Sequence, residues 1–229
     1  MSSTSTRASP APPLRRRSQF RTVALHLPHR PGCLVALLAC AAAQAGAPAP
    51  AGTTAQAGTA AELIAGVFTP ARAAPDFSLR ASDGGTLRLA HYRGKVVLLA
   101  FGYTSCHEVC PVTLSLLAQA RRKLGASAAD VQVVYVTVDP ERDDAARMHQ
   151  FLALFDRSFI GGTGEQAELA AVRKAYGISL TRHETAEGYV LAHSSFVYLI
   201  DRRGLLRALM PFGHGVDDFV HDLKLLLAQ

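Results

Sequence analysis

Two cysteines separated by three residues, Cys106 and Cys110 in Thr104-Ser105-Cys106-His107-Glu108-Val109-Cys110-Pro111, are the side chains of this sequence best suited to chemistry. The run Lys95 to Phe101 (KVVLLAF) precedes them, and leucines at 114, 117 and 124 follow at helical spacing. The pair therefore falls where a strand buried on both faces gives way to a helix. That places Cys106 in the turn and Cys110 in the first helical turn, with both sulfurs able to face one spot. Free N–H groups at a helix N-terminus favour negative charge, so the thiolate is stabilised there, and the thiolate is the form that attacks disulfides and binds metals. Pro111 fits just inside the helix, where its missing N–H costs nothing. A disulfide between residues this close would remove little chain entropy, so redox or metal chemistry is a better reading than a structural staple.

A dithiol of the thioredoxin type has two residues between its cysteines, and the wider spacing here suits two thiolates converging on an ion. Two donors rarely complete a metal site. The best candidate for a third is His193, in Ala192-His193-Ser194-Ser195 directly before a predicted strand, where a loop at the sheet end can bring it towards the cysteines. His107 and Glu108 lie between the cysteines but point away from their shared face on a helical turn. His91, His149, His183, His214 and His221 are scattered, with His183 and His214 in predicted loops.

Several elements must hold these residues. A short strand is predicted over Ala74–Leu79, a turn at Asp83-Gly84-Gly85, and a return strand at Thr86–Leu89. After the central strand come a helix from about Pro111 to Gly125 and a second buried strand, Val131–Val138, ended by Asp139-Pro140. Asp143 is placed to cap a helix reaching about Phe155, and Thr163 with Gln166 forms a capping-box pattern for a helix that stops at Gly177. Ser195–Ile200 and Leu205–Met210 flank the turn at 201–204, and a last amphipathic helix runs over Val216–Leu227. The pattern predicts an α/β protein, a thioredoxin-like fold with a central mixed β-sheet flanked by helices and an N-terminal β-hairpin extension.

Charge is distributed unevenly along the 229 residues. The net charge of +6 equals the six arginines at 7, 15, 16, 17, 21 and 30, because the remaining 18 basic and 18 acidic side chains cancel. A neutral folded part argues against a nucleic-acid surface. Residues 1–47 read as an export signal: an arginine-bearing lead, a short apolar core within Gly32–Ala47, then small residues. That core is too short to span a bilayer comfortably. Two forms of processing fit, cleavage after Ala43 or lipid attachment at Cys40 in Leu37-Leu38-Ala39-Cys40. Residues 48–62 read as a flexible tether and 63–229 as the folded domain, exported to the periplasmic side of a bacterial inner membrane and either soluble or peripherally attached.

Three motifs in order, Gly102-Tyr103-Thr104-Ser105-Cys106 through Pro111, Thr137-Val138-Asp139-Pro140-Glu141-Arg142-Asp143, and His193 before Phe196–Asp201, resemble the Sco/SenC family of copper proteins, over about Pro75 to the C-terminus. The resemblance implies a copper metallochaperone. It implies Cu(I)/Cu(II) held by Cys106, Cys110 and His193, an acidic residue near the metal at Asp139, and a partner in the copper A-bearing subunit of cytochrome c oxidase or another copper-accepting protein. The donor set agrees, since soft thiolates select Cu(I), an imidazole helps hold Cu(II), and Zn²⁺ accepts the same groups. The sequence departs from the family at Ala192, where an acidic residue commonly precedes the histidine, and in a leader shorter than the usual membrane anchor. The alternative is a thiol–disulfide oxidoreductase using Cys106 and Cys110, with Cys106 attacking, to keep the target's cysteines reduced. A peroxidase reading is disfavoured by Tyr103, which stands where such enzymes need Thr or Ser.

Overall fold

The computed structural model describes residues 62–229. The leader at 1–47, with Cys33 and Cys40, lies outside the described residues, as does the tether apart from Glu62. In chain order the elements are β1 (Gly66–Ala73), β2 (Ser78–Ala81), β3 (Thr86–Arg88), β4 (Val96–Gly102), α1 (Val109–Lys123), β5 (Val131–Thr137), α2 (Ala145–Ala153), β6 (Ile160–Thr163), α3 (Gln166–Tyr176), β7 (Leu180–Thr185), β8 (Gly188–His193), β9 (Phe196–Ile200), β10 (Leu205–Pro211) and α4 (Val216–Leu227). Eight strands form one mixed sheet in the order β1-β10-β9-β4-β5-β6-β2-β3, while β7 and β8 make a separate two-stranded ribbon.

The apolar run before the cysteines becomes β4, paired in parallel with β5 and antiparallel with β9, and all seven of its residues are buried. Its alternate side chains enter two different cores. Val96, Leu98 and Ala100 pack with Leu114 and Leu117 of α1 and with Phe219 and Leu223 of α4. Val97, Leu99 and Phe101 pack with Leu169, Val172 and Tyr176 of α3. Each such aliphatic or aromatic side chain contributes about 1.5–3 kcal/mol through burial, so β4 is anchored from both faces. This is the thioredoxin-like mixed sheet with flanking helices, and the N-terminal hairpin β2–β3 extends it through pairing of Arg80 with Thr163 on β6.

Four strands have no clear sequence signal. In β1 the residues are mostly exposed and Pro70 interrupts the pattern; the strand forms because β10 supplies a bulged antiparallel partner. In β6 two glycines replace apolar side chains, because a Cβ on Gly161 would lie 2.9 Å from Met148 Cε and one on Gly162 2.6 Å from Leu87 Cδ2. In the ribbon, β7 is polar and almost wholly exposed, and β8 is short and half exposed.

Both helix-cap expectations in this region are corrected. Asp144, not Asp143, caps α2, its carboxylate accepting from the Arg147 N–H at 2.7 Å. Helix α3 starts after Glu165, whose N–H donates to the Glu168 carboxylate at 3.0 Å, while Thr163 ends β6 and donates its hydroxyl to the Asp143 carbonyl at 2.7 Å. Gly177 ends α3 at φ 69°, as its residue type predicts. Asp143 turns inward instead. Wholly buried, its carboxylate accepts from Thr104 N–H at 2.9 Å, Thr104 Oγ1 at 2.5 Å and Thr137 Oγ1 at 2.7 Å.

The two adjacent aspartates therefore differ in what they support. Asp143→Ala leaves buried donors without an acceptor and is expected to cost about 3 kcal/mol or more, since each stranded donor costs about 1–3 kcal/mol. Asp144→Ala removes an exposed cap worth about 1 kcal/mol. Equal losses for the two variants in urea unfolding would contradict this assignment.

Candidate metal centre

The two cysteines sit at the C-terminal ends of the parallel strands, held by bonds from both sides of the loop. Cys106 N–H donates to the Tyr103 carbonyl at 3.3 Å, closing the turn. Thr104 is tied to Asp143, and Arg147 donates to Thr104 Oγ1 at 2.7 Å and to Ser105 Oγ at 3.1 Å, so both residues before Cys106 are fixed. Cys110 lies in the first turn of α1 and is buried, Cys106 is partly exposed, and both are free thiols. His107 and Glu108 are exposed, as the spacing predicts.

His193, the last residue of β8, completes the cluster. Its Nδ1 lies 2.9 Å from the Ser194 carbonyl oxygen, which can only accept, so Nδ1 carries the proton and the Nε2 lone pair is free. Nε2 stands 3.8 Å from Cys110 Sγ. Thiolate and imidazole bonds to a metal of about 2.3 and 2.0 Å separate the two donors by about 3.5–3.7 Å when the angle at the metal is tetrahedral to trigonal. The pair thus needs little movement to share an ion. Among the described residues no three His, Cys, Asp or Glu side chains form a ready-made cage. The donors instead form a chain, Cys106 to Cys110 to His193, and a soft ion would draw in its outer member.

Electrostatics divide the thiols. Donation from the Cys110 thiol lowers the Cys106 pKa to about 5; partial burial opposes this, and the N–H groups of Cys110, Glu108 and Val109 reinforce it. Cys110 is pushed up by donating to Cys106 and by burial. The resting pair is therefore a Cys106 thiolate beside a protonated Cys110.

Asp139 is buried near the site without being a donor. One carboxylate oxygen accepts from Arg142 Nε at 2.5 Å and the other from Tyr189 Oη at 2.7 Å. The aspartate expected near the metal is thus bonded to Arg142 and Tyr189. Ala192 is exposed and supplies no orienting group, and the Ser194 carbonyl fixes the imidazole instead. Of the other histidines, His214 is bonded to Asp218 and His221 to Asp222, while His91, His149 and His183 are exposed.

Sequence reasoning missed two residues of the site. A Cβ on Gly102 would lie 2.0 Å from Tyr135 Oη and 2.8 Å from Cys110 Sγ, so only glycine lets these groups approach the end of β4. Tyr135 is buried, and among the described residues its hydroxyl has no partner at hydrogen-bond geometry. A glycine closing an apolar strand just before the cysteines was the available signal for a close approach. Nothing marked Tyr135, which sits within a β-branched run as any core residue would.

Two outcomes are expected. Iodoacetamide should modify Cys106 first, with a half-maximal rate near pH 5, and Cys110→Ala should move that midpoint upward towards the ordinary thiol value of about 8.5, because the main stabilising donor is gone. Indistinguishable pH profiles for the two cysteines would refute the division. Gly102→Ala should cost about 1–3 kcal/mol by overpacking, read from thermal unfolding; a variant as stable as the parent would show that the contact at Gly102 is not tight.

A family model described as SCO1/SenC matches residues 68–228. The mitochondrial protein SCO2 homolog of Mus musculus is 33% identical over 153 residues, covering 65% of this chain and 60% of that protein, so the chain spans about three fifths of that relative's length. Bradyrhizobium japonicum ScoI, solved with copper bound, has a TM-score of 0.63 at 32% identity and covers 68% of this chain and 99% of its own. The apo Sco1 protein of Thermus thermophilus gives 0.67 at 30%, covering 74% and 100%. A match that takes in both cysteines, Asp139 and His193 places the chain in the SCO1/SenC family.

Proposed function

We propose that this protein is an exported copper metallochaperone that takes Cu(I) on Cys106 and Cys110, completes the site with His193, and also retains Cu(II). The observation that carries this reading is the 3.8 Å approach of His193 Nε2 to Cys110 Sγ, between residues 83 positions apart, with the imidazole tautomer set for ligation. Two thiolates and an imidazole form a soft, partly nitrogenous set that suits copper through a change of oxidation state. Relatives solved with copper bound support the choice of ion.

Delivery follows from the exposure of the donors. Cys106 is accessible and already ionised, Cys110 is buried, and His193 sits on an exposed ribbon, so an incoming thiolate can replace the outer ligands one at a time while Cys110 holds on. The recipient we propose is the copper A-bearing subunit of cytochrome c oxidase or another copper-accepting protein. Residues 1–47 would direct export, with attachment to the periplasmic face of the membrane through Cys40 or an N-terminal anchor. Among the described residues no helix is long and apolar enough to cross a membrane.

A second reading has an observation of its own, the lowered pKa of Cys106 beside the free thiol of Cys110. As a thiol–disulfide oxidoreductase, the Cys106 thiolate would attack a disulfide in the target and release one target thiolate. Cys110 would then displace the second, leaving a Cys106–Cys110 disulfide and a target reduced by two electrons.

Addition of Cu(II) to the reduced protein should produce a thiolate-to-copper absorption band that is lost in Cys106→Ala and Cys110→Ala. In His193→Ala the band and copper retention should be lost while exchange with a model disulfide persists. Survival of the band without His193 would remove the metallochaperone site as drawn and leave the oxidoreductase reading.

A further inference from the structure

His193 is carried by a ribbon that the main sheet does not hold. β7 and β8 pair with each other, outside the eight-stranded sheet, and most of their residues are exposed. A lone two-stranded hairpin is marginal in water, so its position over the cysteines must be set by contacts elsewhere. At its base, Ser194 N–H donates to the Ser179 carbonyl at 3.2 Å and Ser179 N–H to Ser194 Oγ at 3.1 Å. Those bonds hold the two strand ends together without fixing the ribbon against the site.

The contacts that do so converge on Tyr189. Its ring lies between two guanidinium groups, Arg142 Cζ at 3.8 Å and Arg182 Cζ at 3.5 Å from the centroid. Its hydroxyl donates to Asp139 Oδ1 at 2.7 Å and lies 3.3 Å from Glu141 Oε2. Arg142 bonds the other Asp139 oxygen at 2.5 Å and the Tyr189 carbonyl at 3.1 Å, closing a ring of contacts between the β5–α2 loop and the ribbon. Arg182 is itself held by Glu141 at 3.0 Å and Glu184 at 2.7 Å. Two residues further along β8, Leu191 is buried and its N–H donates to Tyr103 Oη at 3.3 Å. Tyr103 meets the His193 ring edge-on, with centroids 6.1 Å apart.

Residues 189, 191 and 193 share one face of the strand, because side chains alternate with period two. Anchoring the first two therefore fixes where the third arrives. We infer that Tyr189, gripped by Arg142, Arg182 and Asp139, is a positioning residue for His193, a latch that sets the ribbon at the register in which Nε2 reaches Cys110. The inference rests on the copper-site reading and explains what Asp139 does: its carboxylate holds the ribbon that carries a ligand.

The test uses the full chain in reduced form, with Tyr189→Ala, Tyr189→Phe, His193→Ala and the double variant Tyr189→Ala/His193→Ala. Amide hydrogen exchange across Gly188–His193 should speed up in Tyr189→Ala while exchange in β4 and β5 stays unchanged. Competition for Cu(I) against a colorimetric chelator should show copper held about 10–100-fold more weakly in Tyr189→Ala, the usual cost of losing a group that orients a ligand. Tyr189→Phe, which keeps the ring between the guanidinium groups, should fall between it and the parent. In the His193→Ala background the Tyr189 change should add nothing. An equal loss with and without His193, or parental exchange and retention in Tyr189→Ala, overturns the latch. Parental copper retention in His193→Ala overturns the ligand reading and the latch with it, whereas loss in His193→Ala but not in Tyr189→Ala overturns the latch alone.

Discussion

One buried carboxylate holds the site end of this fold together. Asp143 follows β5, and its side chain collects the second residue beyond β4 through Thr104 and the last residue of β5 through Thr137. Its carbonyl also takes the hydroxyl of Thr163 at the end of β6. Three neighbouring strands thus terminate on one residue, at the edge where ligands bind in sheets of this type. Burial holds the carboxyl pKa above the usual carboxylate value, and the bonds from Thr104 and Thr137 offset only part of that rise. The acceptor pattern is what makes the group tolerable in the interior, since an unpaired buried charge is far more costly than one with several donors. Without it the loop leading to Cys106 keeps only the Arg147 bonds and the turn closed by Cys106 N–H on the Tyr103 carbonyl.

The site is built from parts of unequal stiffness. Cys110 is embedded in the first turn of α1 over β4, with Gly102 allowing the sulfur to approach the strand closely. Cys106 follows a loop whose residues are bonded to Asp143 and Arg147. His193 rides on an exposed ribbon secured by an aromatic ring between two arginines. Under the proposed function such a gradient favours release, because ligand exchange would begin with the donor whose support is least buried. Asp139 links the two halves, joining the β5–α2 loop through Arg142 to the ribbon through Tyr189.

Legibility of the fold followed the physical origin of each element. β4, β5, β9, β10 and α4 read clearly because their apolar residues repeat at strand or helix spacing and are buried as the repeat implies. β1, β6 and the ribbon β7–β8 did not, since each forms through a partner strand and not through its own composition; the glycines of β6 are there to make room for Met148 and Leu87. The capping errors have the same origin. Asp143 and Asp144 are chemically identical neighbours, and only the packing of Thr104 and Thr137 against one of them decides which turns inward.

For the site, the residue types and spacing around Cys106 and Cys110 determined by themselves that two thiols lie together at a strand-to-helix junction, because both belong to one local segment and local geometry follows from chain connectivity. That His193 arrives within 3.8 Å of Cys110, that Asp139 serves the ribbon, and that Gly102 and Tyr135 line the same spot were decided by tertiary structure alone. Such contacts join segments distant in sequence, and their geometry depends on sheet order, strand register and the packing of a ribbon that lies outside the main sheet. No local pattern encodes those quantities.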